Sequence, residues 1–343
     1  MKILVVRFRQ IGDAILSSVI CNSLRKSFPD AQIDYVLYEG IEPIFKNHSA
    51  IDNLIVITKE ERKNIFKYLK KVWNVTRENY DIVIDIMSTP KSEMFTLLSI
   101  NAKYRIGRKK KNRGFTYTHS IPEPTDIKDK CKKFLRMLEP LEKEYSMKYD
   151  AIPRIEITDS EQQILRERME KAGVDFSKPV FAWAINSRRP EKVYPIENMK
   201  KFIQKVLDKY ECQIIFYYSP EEKEFAKKVH AELGNDERIF SNIETKSIRE
   251  LAMLLKNCKM FVGNEGGPRH LAQSVGVPTL SIWRDGVDPE GWIPNRNEYN
   301  VGIQPKDIGA ENFESLTHEE KYNLITPDIL FEEFEKMFKK LKD

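Results

Sequence analysis

The sequence predicts an α/β protein with two domains, each built on a parallel sheet. Apolar strand-like segments alternate with amphipathic helical segments through both halves of the chain, which is typical of parallel α/β layers. The 343 residues, 41% of them hydrophobic, suffice for two cores. We expect a first domain over 1–155, a second over 156–325 and a C-terminal helix over 326–343.

Strands are expected where short apolar runs precede helical patterns. In the first half these runs lie near 2–8, 33–37, 54–57 and 81–86. In the second half they lie near 180–185, 213–218, 259–262 and 279–283. Helical periodicity predicts helices near 160–171, 196–209, 220–233 and 246–257. In the final helix, apolar residues share one side: Ile329, Leu330, Phe334, Phe338 and Leu341.

Composition argues against several classes of protein. No stretch approaches the ~20 apolar residues needed to cross a bilayer. Arg7 and Arg9 interrupt the apolar N-terminus, which argues against a secretion signal. The four cysteines are widely spaced and form no CxxC pair, so reduced thiols in a cytoplasmic protein are expected.

The most informative segment is the glycine-rich turn at 263–272, which follows a short apolar strand and leads into a helix. A strand that runs through glycines into a helix presents unpaired backbone N–H groups and the positive end of the helix dipole. Such a turn binds a phosphate or diphosphate, and glycine lets the ligand approach the backbone closely. The alternative is a plain turn that needs glycine only for its geometry.

Asp13 follows the first predicted strand and lies in the first turn of an amphipathic helix. Aspartate is favoured at helix N-termini, so a capping role is the simpler interpretation. In a doubly wound sheet, however, the first strand-to-helix turn lies at the carboxyl edge, where ligands bind. A carboxylate there can remove a proton from an attacking hydroxyl, which makes Asp13 a candidate general base.

A third segment, 186–195, follows the first strand of the second domain. Its Lys192 is either a solvated surface lysine, the commonest fate of lysines, or a cation that faces a diphosphate. Arg188 and Arg189 carry guanidinium groups, which pair bidentately with phosphate. We favour the diphosphate role for Lys192 and count Arg188 among the candidate contacts, with the role of Arg189 left open.

The glycine-rich turn resembles a signature of glycosyltransferase family 9, the bacterial heptosyltransferases of lipopolysaccharide synthesis. That family carries Asp-Ser/Thr-Gly-Pro-x-His-Leu-Ala, followed by Gly-Val-Pro. Gly267, Pro268 and His270 match this pattern, whereas Glu265 and Gly266 stand in place of its first two residues.

Two more segments carry the same resemblance, in the same order along the chain. The run from Arg7 to Leu16 is similar to the family's opening strand and its Gly-Asp pair. Residues 192–195 are similar to the family's Lys-x-Trp-Pro run, with Tyr194 in place of Trp. The resemblance spans residues 1 to about 285.

The resemblance implies a GT-B fold, in which two Rossmann-like domains face a central cleft. It implies an inverting glycosyltransferase whose N-terminal domain binds a lipopolysaccharide-core acceptor, with Asp13 as the general base. Its C-terminal domain would bind a nucleotide-diphosphate sugar, ADP-heptose by implication, with Lys192 facing the diphosphate. The implied donor contacts are Glu265, Gly266, Gly267, Pro268 and His270.

The resemblance also bears on metals and on the last helix. GT-B relatives generally work without a metal, and the sequence has no Asp-x-Asp pair that would hold one on a diphosphate, so no cofactor is expected. A C-terminal helix of GT-B proteins often crosses back to the first domain, and the helix over 326–343 is a candidate for this. The alternative is an ordinary packing helix of the second domain.

A basic run occupies residues 103–113, within the expected acceptor domain, and carries seven Lys or Arg and no acid. Such runs are commonly solvated loops. Lipopolysaccharide precursors are anionic, so Lys109, Lys110 and Lys111 are candidates for holding the acceptor or the inner-leaflet membrane surface. Nucleic acid is a weaker alternative, because no aromatic-interleaved binding motif accompanies the run.

Two rival functions follow from other uses of such a fold. A dinucleotide oxidoreductase needs Gly-x-Gly-x-x-Gly after its first strand, but this strand leads into Arg-Gln-Ile-Gly-Asp at 9–13. A non-catalytic protein that binds sugar nucleotides or lipids is the second rival. The presence of both Asp13 and Lys192 argues against it.

Overall fold

The computed structural model describes residues 1–8, 10–111, 114–294 and 297–341. The chain forms two compact units, 1–156 and 157–343, and each contains a six-stranded parallel sheet. Within the described ranges, no helix has the length and apolar character needed to cross a membrane.

The sheet of the first unit has the strand order β3-β2-β1-β4-β5-β6. Its strands are β1 (Lys2–Val6), β2 (Gln32–Tyr38), β3 (Asn53–Ile57), β4 (Ile82–Asp85), β5 (Tyr104–Arg108) and β6 (His119–Ile121). This is the strand order of the Rossmann fold, in which the winding direction reverses between the first and fourth strands. Ligands bind outside the carboxyl ends of strands at this reversal, here those of β1 and β4.

Helices cover both faces of this sheet. They are α1 (Ile11–Ser17), α2 (Val19–Ser27), α3 (Lys59–Lys63), α4 (Ile65–Thr76), α5 (Pro90–Leu98) and α6 (Lys130–Leu135), with 3₁₀ turns at Glu42–Phe45 and Arg136–Lys143. Tyr68 and Val72 of α4 and Phe95 of α5 pack against Leu4 and Val6 of β1. The central strand therefore has a dry core directly behind the loop that follows it.

The second unit repeats this topology, with the strand order β12-β11-β10-β7-β8-β9. Its strands are β7 (Val180–Ala184), β8 (Gln213–Phe216), β9 (Ile239–Phe240), β10 (Met260–Asn264), β11 (Thr279–Ile282) and β12 (Asn300–Ile303). Counted within the unit, this is again the Rossmann order. Its reversal lies between β7 and β10, which places the ligand-binding edge at their carboxyl ends.

Nine helices accompany the second sheet within the described residues. They are α7 (Asp159–Lys171), α8 (Ile196–Lys209), α9 (Lys223–Glu232), α10 (Ile248–Lys256), α11 (Gly267–Ser274), α12 (Pro289–Trp292), α13 (Pro305–Ile308), α14 (His318–Asn323) and α15 (Pro327–Lys340). Short 3₁₀ turns lie at Pro190–Lys192, Pro220–Glu222 and Phe313–Ser315.

The last helix, α15, packs against α8 in the core of the second unit. The ring of Phe334 lies edge-on to Phe181, with centroids 5.1 Å apart, and Phe338 approaches the same ring at 5.2 Å. The apolar side predicted for this helix is thus buried on its own unit. The crossing of this helix to the first domain stays a prediction.

Four strands were not predicted from the sequence: β5, β6, β9 and β12. Each lies at an edge of its sheet or next to one. Strand β9 has only two residues, and β5 contains two arginines among five residues, so neither presents a long apolar run. Their backbones are extended because neighbouring strands offer hydrogen-bonding partners, which local composition does not reveal.

Asp85, the last residue of β4, fixes the turn beside β1. Its carboxylate accepts hydrogen bonds from the backbone N–H groups of Met87 and Ser88, both at 2.9 Å, and from the Tyr117 hydroxyl at 2.8 Å. Tyr117 reaches this position only because residue 107 is glycine, since a Cβ there would lie 2.1 Å from the tyrosine ring. The network holds Met87 at the edge where ligands are expected.

Burial raises the pKa of Asp85 to about 6, from 3.8 in the absence of the fold. A carboxyl whose pKa is higher in the folded protein stabilises the fold below its unfolded pKa and loses that contribution as the pH rises through about 6. Asp85→Asn cannot ionise. We expect its free energy of unfolding, relative to wild type, to rise between about pH 4 and pH 6 by about 3 kcal/mol at most. Denaturant titrations across this range test this, and a constant difference would contradict it.

Candidate active site

Asp13 lies in the first turn of α1, directly after the carboxyl end of β1. Its carboxylate pairs with the buried guanidinium of Arg7, with Oδ1 and Nη2 3.0 Å apart. Arg7 is held from the other side by Met87, whose Sδ accepts a hydrogen bond from Nη1 at 3.3 Å. The ion pair therefore orients a partly exposed carboxylate at the reversal point of the first sheet.

Further cations surround this pair. The guanidinium groups of Arg7 and Arg108 lie 5.3 Å and 5.5 Å from the centroid of the Phe134 ring. Burial lowers the pKa of Lys130 to about 8, with Asp13 opposing the change and Arg7 and Arg108 adding to it. One carboxylate thus lies among three basic side chains, so the locality attracts anions while it holds a proton acceptor.

Arg7 was not predicted as a site residue. The signal in the sequence is an arginine directly after an apolar strand, at a point where burial requires a counter-charge. Arg9, part of the opening motif, lies outside the described residues. The structure gives no side-chain cap at the N-terminus of α1 within the described residues, and the Asp13 carboxylate contacts Arg7.

In the second unit, the glycine-rich turn connects β10 to α11. Gly263 has a φ of +122°, and a Cβ there would lie 2.4 Å from the carbonyl oxygen of Ala184 on β7. Glycine is therefore needed for the close approach of these two strands. Asn264 locks the next position, because its side chain donates to the Ala184 carbonyl at 3.1 Å and accepts from the Tyr194 N–H at 2.8 Å.

Asn264 thereby ties the glycine-rich turn to the loop that carries Lys192. Tyr194 is fully buried, and its hydroxyl donates to the Ile325 carbonyl. This hydrogen bond fixes the buried side of the loop. The ammonium group of Lys192 forms an ion pair with Glu265, whose side chain is buried. Two segments that are about seventy residues apart in sequence are thus joined at the carboxyl ends of β7 and β10.

Helix α11 begins immediately after Glu265, with Gly266 as its N-cap. Within the described residues, no side chain caps this end by a hydrogen bond. Gly266, Gly267 and Pro268 are half-buried, whereas His270 is buried behind them. The helix therefore presents backbone N–H groups beside the Lys192 ammonium, an arrangement that suits a phosphate.

Arg269 lies fully buried in the first turn of α11. Burial lowers the pKa of its guanidinium to about 9, and the Glu265 carboxylate opposes that change. The guanidinium donates to the Trp292 carbonyl at 2.8 Å and to the Gln273 side chain at 3.1 Å, and it lies 2.8 Å from Nδ1 of His270. Arg269 was not predicted from the sequence, because it occupies the variable position of the motif.

The Glu265 carboxylate therefore balances the charges of Lys192 and Arg269. Its removal leaves the more deeply buried cation, Arg269, without a counter-charge. We expect Glu265→Gln to lower the free energy of unfolding by about 3 kcal/mol, because Arg269 stays buried without its counter-charge. Combining it with Arg269→Met should restore much of this loss, since the unpaired charge is gone. Denaturant unfolding measures both.

A matched control for this prediction is Glu197→Gln on α8. Glu197 pairs with Lys200 at 2.7 Å but is largely exposed, so its loss should change stability by under about 0.5 kcal/mol. Equal losses for Glu265→Gln and Glu197→Gln would mean that the buried charge cluster has no special weight.

The remaining candidate residues lie on exposed loops. Arg188 is exposed between β7 and the 3₁₀ turn that ends at Lys192, and Arg189 pairs weakly with Glu191 at 4.0 Å. Lys109, Lys110 and Lys111 are exposed in the connection from β5 to β6. Arg113 lies outside the described residues.

The basic run at 103–113 is only partly a loop. Arg105 and Arg108 belong to strand β5, and Lys103 forms an ion pair with Glu144. Among the described residues of the run, Lys103 is exposed but paired, and Lys109, Lys110 and Lys111 are the exposed lysines of the connection that follows β5. As for metals, the portion of the chain that the structure describes has no group of three or more His, Cys, Asp or Glu side chains suited to an ion.

Comparison with known proteins agrees with this geometry. Residues 69–323 match the model of glycosyltransferase family 9 (heptosyltransferase). The chain is 25% identical to lipopolysaccharide heptosyltransferase 1 of Campylobacter coli, over 99% of each chain.

Solved structures share the fold of the whole chain. The family 9 glycosyl transferase from Veillonella parvula DSM 2008 matches with a TM-score of 0.81 at 19% identity, over 99% of this chain and 97% of that one. The E. coli heptosyltransferase WaaC with ADP-2-deoxy-2-fluoro heptose matches with a TM-score of 0.72 at 17% identity, over 98% and 99%. With the family model covering well over half of its length, this chain belongs to glycosyltransferase family 9 and is a glycosyltransferase with the two Rossmann-like domains of the GT-B fold.

Proposed function

We propose that this enzyme transfers a heptose from ADP-heptose to an acceptor of the lipopolysaccharide core, with inversion at the anomeric carbon. One observation carries the proposal: each sheet has, at its own reversal point, one half of the chemistry that the transfer needs. The first unit carries a carboxylate, Asp13, and the second carries the cation Lys192 beside an uncapped helix N-terminus.

The proposed donor site is the edge formed by β7 and β10. The diphosphate would lie against the backbone N–H groups at Gly266 and Gly267, with Lys192 as the neighbouring cation. Pro268 and His270 shape the start of α11, and Arg188 lies on the loop beside Lys192. The names of relatives support the ADP-heptose assignment, since WaaC was solved with an ADP-heptose analogue.

In the proposed donor site, the Glu265 carboxylate competes with the donor diphosphate for the Lys192 ammonium. Before the donor binds, the Glu265 carboxylate pairs with the Lys192 ammonium. An incoming diphosphate offers that ammonium a stronger anionic partner, while Arg269 remains to balance Glu265. The buried arginine thus allows Lys192 to turn to the diphosphate without leaving an unpaired carboxylate inside the protein.

The reaction proposed is a direct displacement. The acceptor hydroxyl oxygen attacks the anomeric carbon, and the hydroxyl proton passes to the Asp13 carboxylate. The bond from the anomeric carbon to the diphosphate oxygen breaks, and its electron pair leaves with the ADP. Lys192 and the N-terminus of α11 stabilise the charge that develops on the departing diphosphate. The cations near Asp13 would hold an anionic acceptor.

A thermal-shift comparison of nucleotides tests the donor assignment. A ligand at 100 times its dissociation constant should stabilise the folded protein by about 2.7 kcal/mol. We expect ADP and ADP-heptose to raise the melting temperature, and UDP-glucose and GDP-mannose to leave it unchanged at the same concentration. A larger shift with a uridine or guanosine nucleotide would replace ADP-heptose as the proposed donor.

The proposed place of action is the cytoplasmic face of the inner membrane, where a lipid-linked acceptor is anchored. Lys109, Lys110 and Lys111 are exposed and support this location, because clustered lysines attract anionic lipid surfaces. The attraction would operate over about a Debye length, ~8 Å at physiological ionic strength.

A further inference from the structure

Helix α4 of the first unit is apolar on more of its circumference than the core uses. Tyr68, Val72 and Val75 face inward and are buried. Beside them, a second apolar stripe faces solvent: Ile65, Phe66, Leu69 and Trp73. At 3.6 residues per turn these four side chains fall within about 100° of arc.

The exposure of this stripe is high for large side chains. Phe66 is 80% exposed and Trp73 is 52% exposed, with the whole chain present. Single exposed hydrophobic residues are common, but four on one helix face form a contiguous patch, and such patches mark interaction surfaces.

The stripe is bordered by positive charge. Residues 59–77 contain seven Lys or Arg and two Glu. Lys70 and Arg77 fall next to the stripe on the helical wheel, and the Arg77 guanidinium lies 5.9 Å from the centroid of the Trp73 ring. The two glutamates, Glu60 and Glu61, pair with Lys67 and Lys71 on the far side of the helix.

Further large apolar side chains are exposed beyond α4. Helix α5 packs against α4, and its C-terminal end exposes Leu97 and Ile100. The Thr96 and Thr116 hydroxyls, 2.9 Å apart, hold the next loop against α5. Phe115, which precedes Thr116, is 85% exposed.

The exposed lysines of the β5–β6 connection are close to Phe115 in sequence. Lys109–Lys111 and Phe115 belong to the same short connection. The surface thus has apolar and aromatic side chains at its centre and cations at its border. We call the exposed residues of α4, the end of α5 and Phe115 the α4 face.

We propose that the α4 face binds an anionic lipid bilayer, with Phe66 and Trp73 entering the level of the headgroups. Aromatic rings favour that level, where an apolar body meets a polar boundary, and lysines beside them attract anionic headgroups. A protein partner or a second copy would need a complementary acidic rim, whereas a bilayer supplies negative charge over its whole area. The proposal deepens the proposed membrane location and names the surface that makes contact.

Vesicle co-sedimentation of the full-length protein, without donor or acceptor, tests this. We expect binding to vesicles of phosphatidylethanolamine and phosphatidylglycerol, and little binding to phosphatidylcholine alone. Phe66→Ser with Trp73→Ser should weaken partitioning at least about tenfold. The matched control is Ile164→Ser on α7, which removes a side chain that is 63% exposed elsewhere and should leave binding unchanged.

The charged border is tested separately. Replacing Lys109, Lys110 and Lys111 with glutamine should weaken binding, and added salt should bring the wild type toward this variant. The variant with Phe66→Ser and Trp73→Ser should bind vesicles more weakly than wild type at every salt concentration, because salt does not screen the apolar contribution. Thermal unfolding of each variant, expected to match wild type, establishes that the fold is intact.

Trp73 also reports its own position. Vesicles that contain brominated lipid should quench its fluorescence on binding. Trp183 and Trp283, which are buried, and Trp292, which is half-buried in the second unit, should not respond. Trp73→Phe should still bind the vesicles, and the quenched signal should disappear.

Three results would overturn the proposal. They are wild-type protein that does not bind anionic vesicles, binding that is equal in the serine variant, and quenching that persists in Trp73→Phe. A self-associating wild type that becomes monomeric in the serine variant, with no vesicle binding, would assign the α4 face to a second copy instead. Because the assay contains no substrate, failure of the proposed transfer reaction would leave its outcome unchanged.

Discussion

Asp13→Asn should reduce the rate of transfer by about 10² to 10⁴ while leaving donor binding intact. The substitution keeps the shape of the side chain but removes the group that accepts the hydroxyl proton. The proposed donor site is built on β7, β10 and α11 of the second unit, and the substitution alters none of its residues. Steady-state kinetics and nucleotide binding, measured on the same preparation, test the two halves of the expectation.

If Asp13 only stabilised the dipole of α1, Asp13→Asn would lower stability but leave the transfer rate near normal. A matched control separates this role from that of a general base. Asp159→Asn removes a carboxylate from the first turn of α7, where it has the same relation to a helix N-terminus. Both variants should lose a few tenths to about 1 kcal/mol of stability from the dipole interaction. Asp13→Asn should lose about 3 kcal/mol in total, because it also leaves the buried Arg7 guanidinium without its counter-charge. Only Asp13→Asn should lose activity. Near-normal turnover in that variant would return Asp13 to a purely structural role.

Lys192→Ala should lower kcat by about 10² to 10³, and it should raise the KM for the nucleotide sugar more than that for the acceptor. The ammonium is partly exposed and pairs with Glu265, which directly precedes the N-cap of α11, whereas Arg269 is fully buried. Its loss removes stabilisation of the departing diphosphate. Kinetics with each substrate varied in turn measure the split.

The control for this variant is Lys200→Ala on α8. Lys200 is also a largely buried lysine with carboxylate partners, Glu197 and Glu232, but it lies away from the β7 and β10 loop ends. It should retain the wild-type response to the nucleotide sugar. If Lys192→Ala also retained that response, Lys192 would be a structural partner of Glu265 and nothing more.

The sequence was sufficient to predict the family and the fold class, and both are confirmed. Helix α8 has the predicted bounds, because its apolar residues recur at helical spacing and Pro195 marks its start. The central strands β1, β7 and β10 were predicted because strands buried on both faces read as continuous apolar runs. Strands β5, β6, β9 and β12 were missed because pairing, rather than composition, makes them extended.

The candidate site was only partly predictable. Asp13, Lys192 and the glycine-rich turn stand in recognisable motifs, and their catalytic roles stay predictions. Arg7 stands directly after the first apolar strand and Arg269 at the variable position of the glycine-rich motif, but sequence does not reveal which of 57 cations is buried. The exposed stripe on α4 was equally hidden, because its apolar residues also fit a helix with a wide core face.

The position of Asp13 in its sequence motif is compatible with more than one role, and its ion pair with Arg7 adds information that the motif lacks. A carboxylate in the first turn of a helix is compatible with capping, with proton transfer and with structural pairing. The structure adds the direction in which the carboxylate is held and the cations around it. These features make an anionic acceptor the substrate class that best suits the locality.

The most direct test of the central claim is the product formed from ADP-heptose and a lipopolysaccharide core acceptor. Mass spectrometry counts the heptose added, and NMR gives the configuration at its anomeric carbon. We predict one heptose per acceptor, one ADP released for each transfer, and an anomeric configuration opposite to that of the donor. Release of ADP without a heptosylated acceptor, or a product that retains the donor configuration, would contradict the account.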